Sequence, residues 1–384
     1  MSNLQKTKKI VLVSDLNFRY QTHHPLDLAE VLADRGFDIS IIAPVPKDIS
    51  QLQSSRGFKI IRQPAFKGRL GYAFGMLDAI YKVIRIRPDI IIGVNQGGYI
   101  PAYMASRLLK HSHLIYWAME LSRICEGNRG LITRFQERFA RKADMVWSTN
   151  IERARVMQAD WNLDEEPYVL PNSLVTPRAC ESNGRLRNLS QNYQPGDYIV
   201  LYATGLATTT AVPQLIESVI YWNKGIKLVI IGFGDRSFLD KMIIQIKELN
   251  LGDRIEFLGS FPKSEVYQLL PDADLGLVLW NHRNALDLNT ILCSPGKLLE
   301  YAAHGVPVIC SDNPSLTYVE KEGWGLCVDP DDPISIAAGV NRFFRDNELL
   351  VKMKILCRQR FVEEYCMEVQ GQRLLREMQS RGII

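Results

Sequence analysis

Short apolar runs alternate with segments of helical period along almost the whole chain. Segments between the runs carry apolar residues three and four positions apart, as an amphipathic helix does. In residues 70–86, for example, Leu70, Phe74, Leu77, Tyr81 and Ile84 share one face of a predicted helix. The apolar runs themselves predict strands at 9–15, 38–44, 58–63, 89–94, 113–118, 145–149 and 167–171, and again at 198–204, 226–234, 254–259, 274–280, 306–310 and 325–329.

Repeated strand–helix–strand units imply parallel sheets with helices on both faces. The polar stretch 174–197 interrupts the pattern with Pro, Gly, Asn and Ser, which predicts a linker. A chain of 384 residues is long enough for two cores. We therefore predict an α/β protein with two Rossmann-like, doubly wound domains, over 1–190 and 191–365, and a final helix over 366–384.

Charge divides unevenly between the halves. Residues 1–190 contain 27 Lys and Arg against 18 Asp and Glu, whereas the remainder contains 19 against 24. An excess of cations favours an anionic partner, and on charge alone nucleic acid and an anionic membrane are both candidates. The basic residues are not interleaved with aromatic residues in one recognisable module, which argues against nucleic acid.

One candidate for the basic surface is the segment 131–141. Leu131, Phe135 and Phe139 share one face of a predicted helix, and a second face carries Arg134, Arg138 and Arg141. The segment is either a core-facing helix with a solvated basic side or a contact with anionic lipid headgroups.

Other features favour a cytoplasmic protein without a resident metal. No apolar run approaches the about 20 residues of a spanning helix, and MSNLQKTKK lacks the apolar region of a signal peptide. The seven cysteines form no CxxC pair, which is typical of reduced thiols and not of a zinc site. Peripheral contact with the inner face of a membrane remains compatible with these features.

The stretch SPGKLLEYAAHGVPVIC, residues 294–310, combines a helix start with a misplaced charge. Ser294 is the expected N-cap, Pro295 the expected first helical residue, and Gly305 the expected stop. Lys297 lies in the first turn, at the positive end of the helix dipole, where an acid is normally preferred. Lys297 is therefore either a solvated side chain or the partner of a stronger anion.

Three glycines of the second half lie at strand exits or helix starts. Gly205 and Gly234 come at the ends of predicted strands, and Gly296 opens a predicted helix. Such strand exits lead into helix N-termini, where backbone N–H groups can hold an anion. Three of them together with Lys297 favour a diphosphate ligand. No GxGxxG motif follows the first strand of either half, which disfavours a nicotinamide dinucleotide.

The residues resemble a known family. YATGL, LVIIGFG, RIEFLGSFPKSEVYQLLPDADLGLVL and SPGKLLEYAAHGVPVICSD resemble the donor-binding domain of the retaining glycosyltransferases of family 4, which have the GT-B fold. DLAEVLADRGFDISIIAP and the pair ADMVWST and VLPNS fit the first half of the same family. The resemblance implies an acceptor-binding domain and a donor-binding domain facing across a cleft, with the last helix crossing back to the first domain.

The implied activity is transfer of a sugar from a nucleotide-diphosphate sugar to an acceptor with retention at the anomeric carbon, with no cofactor or metal required. Glu300 matches the second glutamate of the family's pair of acids, which holds the ribose hydroxyls. The position of the first acid is Leu292, and GLATTTAVPQ lacks the family's donor-site cations. Lys297 and Arg283 then supply charge to the leaving diphosphate, and Asn289 lies in the same loop.

The first half offers two candidate catalytic residues. Glu120 lies in WAMELSR, where family members carry a His or an acid, and is a candidate for acceptor or sugar contact. His24 either contacts sugar or phosphate or caps the helix before Pro25. The acceptor is expected to be a carbohydrate or a lipid-linked sugar in bacterial surface polysaccharide, O-antigen or glycolipid assembly. A sugar-nucleotide epimerase of the same fold and a non-catalytic nucleotide-sugar scaffold are the alternatives.

Overall fold

The computed structural model describes residues 7–14, 24–44, 57–63, 68–121, 131–177, 181–283, 285 and 287–384. The chain divides into two compact units. The first contains the residues up to Val175 together with Met367–Ile384, and the second contains Thr176–Cys366. Each unit has its own parallel sheet and its own apolar core.

The first unit is built on a seven-stranded sheet in the order β3-β2-β1-β4-β5-β6-β7. All pairings are parallel, so each strand returns to the same edge through a connection on one face of the sheet. Most strand residues are buried, as expected for strands covered on both faces. The strands are β1 Lys9–Ser14, β2 Asp38–Ala43, β3 Lys59–Arg62, β4 Ile90–Val94, β5 His113–Ala118, β6 Met145–Ser148 and β7 Tyr168–Val169.

Six helices of this unit are described: α1 His24–Asp34, α2 Gly68–Ile86, α3 Asn95–Leu108, α4 Leu131–Ala140, α5 Ile151–Trp161 and α15 Met367–Ser380. The last of them packs against α1 so closely that a Cβ on Gly371 would lie 2.7 Å from Cγ1 of Val31. Leu374 and Met378 complete the core of the first unit. The C-terminal helix is therefore an integral part of this unit.

Helix α2 turns its small residues inwards. Gly71, Gly75, Ala79 and Val83 are buried, at a spacing of four residues. Small side chains allow a neighbouring helix to approach closely, and α2 packs against α3. The apolar face recognised in the sequence therefore points outwards over the part that the structure describes.

The second unit repeats the topology with six parallel strands in the order β10-β9-β8-β11-β12-β13. This order reverses direction between β8 and β11, the kind of position at which doubly wound proteins bind ligands. The strands are β8 Tyr198–Ala203, β9 Ile226–Ile231, β10 Ile255–Phe257, β11 Leu275–Val278, β12 Val308–Ser311 and β13 Gly325–Val328.

The helices of the second unit are α6 Arg185–Leu189, α7 Val212–Ser218, α8 Arg236–Glu248, α9 Lys263–Leu269, α10 Leu288–Ile291, α11 Gly296–Ala303, α12 Tyr318–Lys321, α13 Pro333–Arg345 and α14 Asn347–Arg360. Single 3₁₀ turns follow α7 and α9, and a π-helical turn, Phe361–Tyr365, follows α14. Among the described residues, no helix has both the length and the apolar character needed to cross a bilayer.

The segment interpreted as a linker is anchored to the second unit. The buried carboxylate of Asp272 accepts hydrogen bonds of 2.5–2.9 Å from the hydroxyl of Ser182 and the backbone N–H groups of Asn183, Gly184 and Leu186. These bonds join residues 86 to 90 positions apart, and Asp272 lies in the second unit. The segment therefore belongs to the second unit. The boundary therefore lies at residues 175 and 176, earlier than the residue 190 expected from composition.

Candidate functional site

Helix α11 is fixed to the sheet at the point where the strand order reverses. The buried hydroxyl of Tyr301 donates to the carbonyl of Leu201 (2.9 Å) and accepts from the N–H of Ala203 (3.1 Å), both on β8. Its ring lies on β11, where a Cβ on Gly276 would come within 2.6 Å of the ring. Glycine at this position lets the helix approach the sheet, so side chains on its first turns have fixed positions.

The start of α11 differs by one residue from the sequence prediction. Pro295 has extended backbone angles (φ −71°, ψ 117°) and occupies the N-cap, so the first helical residue is Gly296 and Ser294 lies outside the cap. The side chain of Pro295 forms no hydrogen bond to the first turn. The N-cap residue itself therefore supplies no oxygen against the positive end of the helix dipole. The stop at Gly305 is confirmed, with φ +70° directly after the last turn.

Two lysines meet one buried glutamate beside this helix start. The side chain of Glu300 is 3% exposed, and Nζ of Lys297 lies 2.6 Å from its Oε2. Nζ of Lys263, the first residue of α9, forms an ion pair with Oε1 of the same carboxylate. Lys263 also lies over the ring of Tyr267, 5.2 Å from the centroid. We call Lys263, Lys297 and Glu300 the lysine–glutamate cluster.

The cluster holds more positive than negative charge. Burial lowers the pKa of Lys297 to about 8, because the attraction of Glu300 is not enough to offset desolvation and the repulsion of Lys263. Burial by itself would raise the pKa of Glu300, but Lys263 and Lys297 together hold it well below its ordinary range. Glu300 therefore stays ionised, and the cluster as a whole is short of one negative charge.

Sequence reasoning missed Lys263, although the signal was present. Lys297 is predicted to be a cation in the first turn of a helix. Lys263, in SFPKSEV, is a second cation at a helix start, directly after Pro262. Both helices start beyond the carboxyl ends of strands of the same sheet. The same rule applied to every helix start would have found both lysines.

Packing requires glycine at one of two predicted donor-site positions and not at the other. A Cβ on Gly234 would lie 2.3 Å from the carbonyl oxygen of Leu206, so backbone packing between the two strand exits requires glycine there. Gly205 has no positive φ, and a Cβ built on it meets nothing within 4 Å among the described residues. Among the described residues, neither backbone strain nor packing accounts for glycine at position 205.

Arg283 is held by carboxylates. Its Nη2 lies 2.5 Å from Oδ2 of Asp312, and its Nη1 lies 2.8 Å from Oδ2 of Asp329. The hydrogen bond that Arg283 donates to Asp312 raises the pKa of this exposed guanidinium. Two acids already neutralise Arg283, so it contributes less charge to an anion than the sequence suggested.

Asn289 lies on the short helix α10, in the run that leads to α11. Asn313 donates from Nδ2 to the carbonyl of Thr290 (3.1 Å), and the hydroxyl of Ser315 donates to the carbonyl of Cys293 (2.7 Å). The residues before Ser294 are therefore tied to the segment after β12. These bonds define the position of the SPGK turn.

The candidates of the first half, His24 and Glu120, belong to the first unit. His24 is buried at the start of α1, and its Nδ1 donates to the carbonyl of Ser173 (2.7 Å). This bond ties α1 to the end of the unit and is a structural role in itself. Glu120 is exposed, two residues after β5. Within the described residues, no three His, Cys, Asp or Glu side chains are placed to hold a metal.

Two Rossmann-like parallel-sheet domains define the GT-B fold, and solved structures of this fold match nearly the whole chain. HepE from Anabaena, in complex with UDP and glucose, is 14% identical with a TM-score of 0.76, over 97% of this chain and 100% of that one. Sucrose-phosphate synthase from Thermosynechococcus elongatus is 15% identical, with a TM-score of 0.77 over 97% and 98%. A putative UDP-N-acetylglucosamine 2-epimerase from Listeria monocytogenes is 13% identical, with a TM-score of 0.66 over 98% and 97%.

Family models match both units. Residues 189–360 match the model of glycosyl transferases group 1, and residues 9–150 match the model described as glycosyl transferase 4-like. No curated protein sequence matches the chain. The two family models and the structural neighbours together indicate a GT-B glycosyltransferase.

We expect Lys297→Met to stabilise the protein at pH 7. Below pH 8 the lysine is charged in both states, so the folded state bears the full cost of burying it. Between about pH 8 and about 10.4 the folded protein loses the proton first, and the free energy of unfolding of the parent rises. At pH 7 the free energy of unfolding of the variant should exceed that of the parent by about 3 kcal/mol, and it should show no rise between pH 8 and pH 10, as measured by urea unfolding.

The matched control is Lys352→Met, which replaces an exposed lysine on α14. It should leave the free energy of unfolding almost unchanged. Lower stability of Lys297→Met at pH 7 would mean that the ion pair with Glu300 outweighs the cost of burial.

Proposed function

We propose that the protein is a retaining glycosyltransferase whose donor is a nucleoside-diphosphate sugar, with the diphosphate bound at the start of α11. The lysine–glutamate cluster carries this proposal, because it places two ammonium groups against one carboxylate beside a helix start whose N-cap residue is a proline. An anion next to Lys297 would supply the missing negative charge and return the pKa of Lys297 towards its ordinary value.

The donor diphosphate lies against the backbone of Ser294, Pro295 and Gly296 in this proposal. Gly205 and Gly234 line the neighbouring strand exits, and Asn289 lines the approach. Lys297 is the residue that stabilises negative charge on the leaving diphosphate as the glycosidic bond breaks. Arg283 joins it only by exchanging one of its two carboxylate partners.

Glu300 is proposed to hold the nucleotide ribose. An ionised carboxylate offers about four lone-pair positions, and the two lysines occupy one oxygen each. The remaining positions can accept both hydroxyl groups of a ribose. Because the lysines keep Glu300 ionised, it acts purely as an acceptor at physiological pH.

The chemical step needs no protein nucleophile. The incoming hydroxyl attacks the face from which the diphosphate leaves, through a transition state with oxocarbenium character, and the departing diphosphate oxygen takes its proton. Charge stabilisation and positioning are then the contribution of the protein. Glu120 is proposed to contact sugar or acceptor, and a catalytic part for His24 stays a prediction.

The acceptor is proposed to be a carbohydrate or a lipid-linked sugar, in bacterial surface polysaccharide, O-antigen or glycolipid assembly. UDP is the first nucleotide to test, because HepE binds it in a structure of the same fold. The epimerase alternative is retained because the Listeria protein shares this fold as well. An epimerase would interconvert two nucleotide-sugars without releasing the nucleotide.

One nucleoside diphosphate of a panel that includes UDP is expected to raise the melting temperature of the parent protein. Calorimetric titration should show affinity about ten- to a hundred-fold lower for Lys297→Met and for Glu300→Gln, since each loses a charged partner. Affinity of the parent should fall above pH 8, where Lys297 loses its proton.

Lys352→Met serves as the control for charge removal and should bind as the parent does. Failure of every nucleoside diphosphate to bind the folded parent would contradict the donor site. Stabilisation by a nucleotide with no turnover on any acceptor would support the scaffold alternative.

Gly205→Ala is expected to weaken nucleotide binding about tenfold without loss of stability, because its Cβ meets no described protein atom but would meet the ligand. Gly252→Ala is the matched control, since a Cβ there also meets nothing within 4 Å and its φ is not positive. Equal affinities of the two variants, measured by titration calorimetry, would remove Gly205 from the donor site.

The anomeric configuration of the product tests retention. With an α-linked UDP-sugar we expect an α-glycoside, identified by the small coupling constant of its anomeric proton in NMR spectra recorded at early times. A β-glycoside would show an inverting reaction, which requires a base on the opposite face of the sugar.

A further inference from the structure

An apolar stripe, formed by Phe74, Leu77 and Tyr81, lies on the surface of α2, outside the proposed donor site. These side chains are 59%, 60% and 60% exposed. They lie three and four residues apart, so they form one row along the helix. A contiguous apolar patch at the surface marks an interaction site, whereas apolar side chains scattered singly are normal on soluble proteins.

The neighbouring helix α3 also carries exposed apolar side chains. Met104 and Leu108 on α3 are 45% and 68% exposed. Both helices lead from the carboxyl end of one strand to the amino end of a later parallel strand, so they run in the same direction. The C-terminal ends of α2 and α3 are therefore at the same edge of the sheet.

Basic residues outnumber acids on α2 and α3. Across the sequence of α2 and α3 there is a single acid, Asp78, and its Oδ2 is 2.5 Å from Nζ of Lys82 on the next turn. Exposed basic residues lie at and just beyond the C-terminal ends of the two helices: Arg85, Arg87, Arg107 and Lys110. An occupant of this surface must therefore accept apolar side chains and carry negative charge.

We propose that the apolar stripe of α2 docks the protein on an anionic lipid surface. Phe74 and Leu77 would enter the boundary between headgroups and acyl chains, and the cations would meet the phosphates. Tyr81 suits the boundary because its ring is apolar and its hydroxyl, 3.4 Å from Nη1 of Arg85, is polar. A second copy of the chain fits less well, because the same cations would face each other.

Helix α4, the candidate singled out in the sequence, is a weaker docking element. Its Phe135 and Phe139 pack against Tyr103 of α3, with ring centroids 5.8 and 4.9 Å apart. Arg134 and Arg138 are exposed. The apolar face of α4 is thus used within the first unit, and only its basic side can add to the attraction.

Co-sedimentation of the full chain with vesicles tests the proposal. Vesicles of phosphatidylcholine with 30% phosphatidylglycerol, a composition chosen for the assay on the order of a bacterial inner leaflet, should bind the parent and pure phosphatidylcholine should not. Phe74→Ser with Leu77→Ser should lower the partition coefficient about tenfold or more. Arg85→Glu with Arg87→Glu should lower it by at least about five-fold per cation.

The matched control is Val351→Ser with Ile355→Ser, which removes two exposed apolar side chains four residues apart on α14. This variant should bind vesicles as the parent does. Equal binding of the parent and the α2 variants, or binding that ignores lipid charge, would overturn the proposal. Binding to an acidic soluble protein with no vesicle binding would also overturn it.

The inference does not rest on the proposed donor site. The α2 residues lie in the first unit and the lysine–glutamate cluster in the second. Nucleotide affinity of Phe74→Ser with Leu77→Ser should equal that of the parent, so failure of vesicle binding and failure of the donor site are separate results.

Discussion

The buried charge of Glu300 is the constraint on which the candidate site of the second unit depends. A carboxylate removed from water must be neutralised, and Glu300 has two lysines from the starts of two different helices. Its helix is in turn locked to the sheet by Tyr301, which bonds to β8 and lies over Gly276. Packing and charge thus position the same turn of helix.

The excess of positive charge bears on a departure from the family pattern that the sequence resembles. The segment GLATTTAVPQ after β8 lacks the cations of that pattern, and Leu292 lies where the pattern has an acid. Lys263 and Lys297 place positive charge at the same end of the sheet from the starts of other helices. Loss of charge in one loop is compatible with function if another element of the same unit supplies it.

The sequence predicts the parallel strands well and the surfaces of the helices less well. All thirteen predicted strands form within the described residues, because a strand buried on both faces, as the central ones are, must be apolar throughout. The helical period of α2 is also right, but its apolar face is outside, because Gly71 and Gly75 lie on the buried face. Gln63, which follows β3, donates to the carbonyl of Gly75 on that buried face. A local pattern fixes which residues share a face, whereas the partner decides which face is covered.

Asp272 and Lys263 show the same limit at single residues. The polar composition of 174–197 is typical of a linker, yet one carboxylate distant in sequence organises its backbone. Lys263 is recognisable as a cation at a helix start, but its pairing with a glutamate 37 residues later depends on the tertiary fold. The part of the site that periodicity and spacing do not predict is formed by contacts between segments that are distant in sequence.

The route of the chain has a consequence for the order of folding during synthesis. The second unit is continuous in sequence, so it can complete its core once residue 366 has left the ribosome. The first unit cannot, because Leu374, Met378 and Ile383 belong to its core, and Nζ of Lys8 donates to the carbonyl of Ile383 (3.1 Å). The first unit, although its strands are made first, can therefore complete its core only after α15 has been made. Until then, part of α1 stays uncovered.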